Sequence, residues 1–220
     1  MEALPLFLET IKIHEGSIRH LPYHQQRVAR TIRAHYPDAN IPQLQTHLQK
    51  IPTAGIYKCR ILYNDRIQTV TFERYTPKPV RTFTIIESEI DYAYKYADRS
   101  TLEALKNSVT TDEIIIQKKG MLTDTSYSNL AFYDGDRWVT PRTPLLQGTM
   151  RAKLLEERQL VEEDITVDDL GDFKDVALMN AMIEFKVLKN VRIFDRAGRL
   201  RFQKEGYSRR NHYGGLLTNG

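Results

Sequence analysis

The chain has 220 residues, 41% hydrophobic and 27% charged, enough to bury a sizeable core in one large domain or two small ones. Its longest apolar runs, such as 114–116, are too short to span a bilayer, and its single cysteine, Cys59, excludes an intramolecular disulfide and a cysteine metal cluster. The net charge of +4 comes from scattered basic residues, which gives a nucleic-acid-binding face weak support, and the start MEALPLFLET is acidic where a signal peptide is basic, so a cytoplasmic protein is expected.

Residues 6–13 (LFLETIKI) read as a strand with Phe7, Ile11 and Ile13 on one face, and Glu9 falls on that same face as a polar exception. Glu15-Gly16 marks a hairpin turn and 17–21 the return. Pro22 suits the first turn of a helix running to about residue 36, with Val28 and Ile32 inward. A short helix is expected after Pro42, carrying Leu44, Leu48 and Ile51. Residues 56–63 and 67–74 form a hairpin around Asn64-Asp65. The segment TPKPV at 76–80 reads as a linker, because proline neither continues a helix nor donates to a sheet. This divides the chain into a small α+β domain, 1–77, and a larger domain, 78–205. The tail 206–220 is expected to be poorly ordered.

Beyond the linker, 82–87 is a strand and 91–99 (DYAYKYADR) a tyrosine-rich polar segment. Ser100 with Glu103 reads as a capping box. A strand at 112–117 and a turn at Lys118-Lys119-Gly120 lead into 120–151, read as strand, tight turn, strand, polar loop and helix start. That helix continues through Leu154, Leu155 and Leu160; 175–179 and 191–195 are further strands, with a turn at Ala197-Gly198.

Four features bear chemistry, and each has an ordinary alternative. Asp124 is followed at two-residue intervals by Ser126 and Ser128, then by Asn129, as a polar set along one strand face; alone it reads as a turn-bonding aspartate. Buried polar groups in a strand cost free energy unless paired. Gly148-Thr149 opens a helix whose N-terminus suits an anion, or is a routine cap. Lys95, between Tyr94 and Tyr96, is a solvated charge or an amine whose pKa desolvation lowers into a useful range. Arg27, three residues after His24 and beside Val28, is an exposed arginine or an inward one. The polar strand at Asp124, Ser126 and Asn129 and the helix start at Gly148-Thr149 together suggest a ligand cationic at one end and anionic at the other.

Their order carries a resemblance. Leu8-Glu9-Thr10-Ile11-Lys12 is similar to F-E-T-I-R, His24-Gln25-Gln26-Arg27 to H-x-x-R, and Lys95-Tyr96-Ala97-Asp98-Arg99 to K-x-x-N-R. Asp124-Thr125-Ser126-Tyr127-Ser128-Asn129 is similar to E-x-S-x-x-N. Thr140-Pro141 with Leu146-Gln147-Gly148-Thr149-Met150-Arg151 matches T-P…L-x-G-I-T-R, and Leu178-Met179-Asn180-Ala181 matches a final N-A/S loop. From about residue 6 to 191 the sequence resembles the class IV aminotransferases, the fold-type IV enzymes that use pyridoxal 5′-phosphate. The resemblance implies a mixed α+β and α/β, two-domain fold of the D-amino-acid aminotransferase type. It also implies a homodimer acting on a small molecule, with neither nucleic acid nor membrane as partner and no metal.

By the same resemblance Lys95 is the Schiff-base lysine and acid/base. Arg27 and the backbone at Gly148, Thr149 and Met150 receive phosphate, with Asn180 and Ala181 in the last phosphate loop. Asp124 faces the ring nitrogen where the family has a glutamate, Ser126 and Asn129 support its strand, and Leu146 packs on a ring face. Thr10, Lys12, Arg60 and Arg99 are candidate substrate contacts. The Asn180-Ala181 form of the last loop is associated with aminodeoxychorismate lyase, which makes 4-aminobenzoate and pyruvate on the folate route. An aminotransferase for D-amino or branched-chain amino acids is the alternative. Thr149-Met150 in place of Ile-Thr, together with a shortened N-terminus relative to the family, motivates a third reading, a degenerate non-catalytic homologue. The family also carries a D-R-G…Y-G-D-G stretch ahead of its F-E-T strand; with this sequence starting near that strand, a differently lined substrate pocket is expected.

Overall fold

The structure is a computed structural model and describes residues 5–205. The tail 206–220 lies outside the described residues. Two sheets carry the fold. In the first, β1 (Phe7–His14) turns through Glu15-Gly16, both at positive φ, into β2 (Ser17–Ile18). β3 (Ile56–Tyr63) pairs with the other edge of β1 and with β4 (Ile67–Arg74), giving the antiparallel order β2-β1-β3-β4. Period-two alternation buries Phe7, Ile11 and Ile13 of β1 and Cys59, Ile61 and Tyr63 of β3 against α1 (Leu21–His35). The buried residues of α1 are His24, Arg27, Val28, Thr31 and Ile32, one helical stripe in which three members are polar.

In the second sheet, β5 (Thr82–Glu87) runs parallel to β6 (Glu113–Lys118), with α2 (Ser100–Asn107) in the crossover. Ile114, Ile115 and Ile116 are all buried, as expected of a strand covered on both faces. Lys119 and Gly120 both take positive φ and make the tight turn into β7 (Met121–Thr125). There follow β8 (Asn129–Tyr133), β9 (Trp138–Pro141), α3 (Thr149–Glu156) and β10 (Val161–Glu163). The last strands are β11 (Asp175–Asn180), β12 (Glu184–Val187), β13 (Val191–Phe194) and β14 (Leu200–Lys204). The main path is β10-β9-β8-β7-β6-β5-β13-β14, with β11 joining β8 to β12. The result is a mixed α/β fold with a long curled sheet and few helices, its main core formed by residues such as Phe83, Ile115, Phe132 and Ile193. Among the described residues, no helix is long and apolar enough to cross a membrane.

Several local expectations are corrected. Only one 3₁₀ turn, Leu44–His47, follows Pro42; Leu48 is buried just past it, and Pro52 biases Ile51 toward extended backbone. Ser100 is not a cap: Arg99 occupies the N-cap with no side-chain bond, and Asp98 Oδ1 accepts from Ser100 N at 2.9 Å instead. α3 stops at Glu156, where Arg158 at φ 56° turns the chain and leaves Leu160 buried beyond the helix. Ser126 and Ser128 lie in the turn between β7 and β8, so the polar set does not run along one strand face; Asp124 and Asn129 meet as cross-strand partners. β9, β10, β12 and β14 are three to five residues long, too short to leave a periodic signal.

Candidate active site

A cavity of about 320 Å³ opens between the two sheets, lined from the first by Leu8 and Thr10 of β1 and Lys58 and Arg60 of β3. The second half contributes Asp124, the turn 125–128, Asn129, Leu145, Leu146, Gly148, Thr149, Asn180 and Ala181. Arg27, Tyr92, Lys95 and Arg99 complete it.

The tyrosine-rich segment that carries Lys95 is irregular yet firmly held. Leu8 N donates to Lys95 O at 2.9 Å and Ala97 N to Leu6 O at 2.8 Å, so the segment bridges to β1. Tyr92 Oη donates to Tyr96 O at 2.7 Å, and the Tyr96 ring packs on Phe7 at 5.2 Å. Among the described residues, none hydrogen-bonds or ion-pairs with Lys95 Nζ. Burial, then the positive charge of Arg27, brings its ammonium down from the ordinary lysine range to about 7. The amine can therefore exchange a proton near neutrality.

Asp124, at the end of β7, is buried and doubly held. Asn129 Nδ2 donates to its Oδ1 at 2.7 Å and Leu146 N to its Oδ2 at 2.8 Å, while Asn129 Nδ2 also reaches Leu146 O at 2.9 Å. Burial outweighs these bonds and raises the carboxyl to about 7. An acid this costly to ionise without a positive partner suits a cationic ligand atom. Asn129 packs so close to the α3 N-cap that a Cβ on Gly148 would lie 1.9 Å from its Oδ1. Gly148 has no side chain with which to cap α3, so the first-turn N–H groups of the helix remain available to an anion.

Arg27 reaches the cavity from α1. Glu9, the polar exception of β1, accepts from its Nε at 2.7 Å and its Nη2 at 2.6 Å. Among the described residues Nη1 has no partner. Arg99 Nη2 donates to Ser126 O at 2.8 Å, and Ser126 Oγ to Glu113 Oε2 at 2.9 Å, which clamps the β7–β8 turn from both sides. Asn180 holds its own turn, accepting from Met182 N and Ile183 N and donating to Ser128 Oγ at 2.8 Å.

The remaining candidates divide. Thr10 and Arg60 are register partners that line the cavity, and Arg60 has no ion-pair partner among the described residues. Lys12 is absent from the lining and instead pairs with Glu184 at 2.8 Å. The Met150 side chain packs with Ala131, Leu154 and Met179, so only its backbone is available at the helix start. Lys58, Tyr75, Tyr92 and Tyr127 line the cavity without having been singled out in the sequence. Lys58 was findable, because Lys58 and Arg60 stand two apart on one strand face. Four cations (Arg27, Lys58, Arg60, Arg99) and the Lys95 amine thus surround a cavity with one carboxylate of its own, Asp124, while Glu73, outside the lining, pairs with Lys58 at 2.8 Å.

The family model described as amino-transferase class IV matches residues 92–189. An uncharacterized protein from Haemophilus influenzae is 38% identical over 188 residues, covering 81% of this chain and 97% of that protein. The crystal structure of a "putative 4-amino-4-deoxychorismate lyase" from Haemophilus somnus is 34% identical, with a TM-score of 0.77 over 83% of this chain and 98% of that one. A hypothetical aminotransferase from Mycobacterium tuberculosis in its PLP-bound form shares the fold at 17% identity, with a TM-score of 0.71 over 89% of this chain and 83% of that one. The motif order read from the sequence and these likenesses in sequence and fold agree: the chain belongs to the class IV aminotransferase family and is a pyridoxal-phosphate-dependent enzyme.

Proposed function

We propose that this enzyme is a lyase that converts 4-amino-4-deoxychorismate to 4-aminobenzoate and pyruvate. The observation that carries the reading is the cationic wall of Lys58, Arg60 and Arg99 beside an amine, Lys95, that titrates near neutrality. The substrate bears two carboxylates, and such a wall favours a dianion. The Haemophilus somnus relative, whose name carries the same activity, supports it.

The donor set of the cavity fits the cofactor. Among the described residues, a lysine amine and an arginine nitrogen without partners, a buried carboxylate and an uncapped helix N-terminus surround one space. Lys95 Nζ would bond the cofactor aldehyde, Asp124 would hold a proton at the ring nitrogen, and Leu146 would cover a ring face. Arg27 Nη1 and the N–H groups at Thr149-Met150 would receive the phosphate. Bound there, pyridoxal phosphate supplies an electron sink for bonds broken next to the substrate amine.

The residues of the chain then act as follows. Arg60 and Lys58 orient the substrate carboxylates, and Leu8, Leu145 and Tyr92 exclude water from the reacting face. Lys95 Nζ takes the proton from the ring carbon that bears the amine. The carbon–oxygen bond to the enolpyruvyl group breaks, and Lys95 returns a proton to the departing group, which leaves as pyruvate. Aromatisation of the ring drives the step. On this reading the enzyme works in the cytoplasm on the folate route, as a homodimer. Purified protein loaded with cofactor and given 4-amino-4-deoxychorismate should yield equal amounts of 4-aminobenzoate and pyruvate, and Lys95→Ala should yield neither. Cofactor-loaded protein that makes no 4-aminobenzoate would sink the idea.

A further inference from the structure

Glu9 and His24 are fully buried polar residues that the chemistry above leaves without a task. Glu9 grips Arg27 along one edge of the guanidinium, through Nε at 2.7 Å and Nη2 at 2.6 Å, and such a paired grip fixes the plane of the group. Burial opposes ionisation of Glu9, but the charge and hydrogen bond of Arg27, with the bond to His24, outweigh it and hold the carboxyl at about 2. Because this carboxylate only accepts, the contact of 2.6 Å between His24 Nδ1 and Glu9 Oε2 requires the proton on Nδ1. Among the described residues the buried His24 Nε2 has no partner, and burial lowers the imidazole pKa, so the ring is neutral and spends its single N–H on Glu9.

We propose that Glu9, braced by His24, is a positioning residue that aims the free Nη1 of Arg27 at the cofactor phosphate and offsets the charge of Arg27 near Lys95. The proposal rests on the reading of Arg27 as the phosphate ligand. The groups that face Glu9 are Arg27, His24 and Arg30 of α1, Tyr63 of β3 and Lys95. Around Lys95, the charges of Arg27, Arg60 and Arg99 favour the neutral amine, and Glu9 opposes them. The carboxylate therefore does two separable things: its reach sets the aim of Arg27, and its charge keeps Lys95 titrating near neutrality.

Three variants separate reach from charge. Glu9→Asp keeps the charge but is one methylene too short to span both Arg27 nitrogens. Glu9→Gln keeps the length and loses the charge, and Arg27→Gln removes the target. Cofactor-free proteins, checked for fold by circular dichroism, are titrated with pyridoxal 5′-phosphate. Separately, the pH dependence of Lys95 labelling by trinitrobenzenesulfonate is followed by peptide mass. Glu9→Asp should weaken cofactor binding about tenfold with the labelling midpoint unmoved, since a charge-assisted hydrogen bond is lost. Glu9→Gln should weaken binding at least as much and shift the midpoint to lower pH. Neither should weaken binding further in the Arg27→Gln background, because Glu9 acts through Arg27.

Cofactor affinities within about twofold of wild type, or losses that add to that of Arg27→Gln, would overturn the proposal while leaving the role of Arg27 intact. Wild-type affinity in Arg27→Gln itself would instead remove Arg27 as phosphate ligand, and the proposal with it. If Glu9→Gln does not fold, Glu9→Asp in the two backgrounds decides the matter alone.

Discussion

Gly148→Ala is a one-methyl change whose cost can be worked from the structure. The added Cβ would fall 1.9 Å from Asn129 Oδ1, far inside contact distance, at a residue whose φ of −70° and ψ of 144° suit any side chain. Backbone strain is therefore not the cause of any loss. Asn129 must move, and it is the donor to both Asp124 Oδ1 and Leu146 O. Overpacking costs about 1–3 kcal/mol, and leaving the buried carboxyl short of a donor adds about 1–3 kcal/mol. A loss of about 3 kcal/mol lowers the unfolding midpoint by about 6–12 °C in a chain of this size. Gly171→Ala is the control, since nothing lies within 4 Å of its added Cβ. Differential scanning calorimetry of the cofactor-free proteins should show the fall in Gly148→Ala and a shift below about 2 °C in Gly171→Ala. Equal midpoints for the two variants would refute the close-packed triangle of Asp124, Asn129 and Gly148.

Asp124→Asn tests the buried acid through its pH signature. The folded carboxyl is raised to about 7, so in cofactor-free protein the folded state binds the extra proton between the ordinary carboxylate range and pH 7. Stability from this group is thus greatest at low pH and is lost as pH rises through that window. The variant should gain stability relative to wild type from about pH 4 to 7, as measured by urea unfolding; a difference independent of pH would contradict the raised carboxyl. Arg60→Ala should raise KM by about 10- to 100-fold with kcat little changed, the mark of a group that binds ground and transition states alike; an unchanged KM would remove it as a carboxylate contact. Lys12→Ala should leave KM unchanged and stability within about 1 kcal/mol, because its partly exposed pair with Glu184 stands apart from the cavity. A large rise in KM would return Lys12 to the site.

Much of the fold was legible because its longer elements are strongly periodic. β1, β3 and β4 alternate, α1 carries an inward stripe, and the positive-φ turns at Glu15-Gly16 and Lys119-Gly120 each carry one glycine that marks them. Asp124 was legible as a candidate because a polar side chain broke an apolar pattern there, and Glu9 stood out as a polar exception of the same kind. What the pattern withheld was pairing across the chain. Glu9 and Arg27 are eighteen residues apart on a strand and a helix, and only packing shows that one holds the other. Lys12 and Arg60 were indistinguishable as basic strand residues until the fold gave one an ion-pair partner and the other a place on the cavity wall. The capping box failed for a local reason, since Asp98 competes for the Ser100 amide and wins.

A lyase that leaves its cofactor unaltered is told from an aminotransferase by mixing cofactor-loaded protein with excess 4-amino-4-deoxychorismate and no keto acid. The lyase should complete many turnovers with 4-aminobenzoate and pyruvate in equal amounts, after which the Lys95-dependent visible absorbance returns in full. A single turnover that ends with the amino group on the cofactor and that absorbance gone would contradict it and mark the enzyme as an aminotransferase.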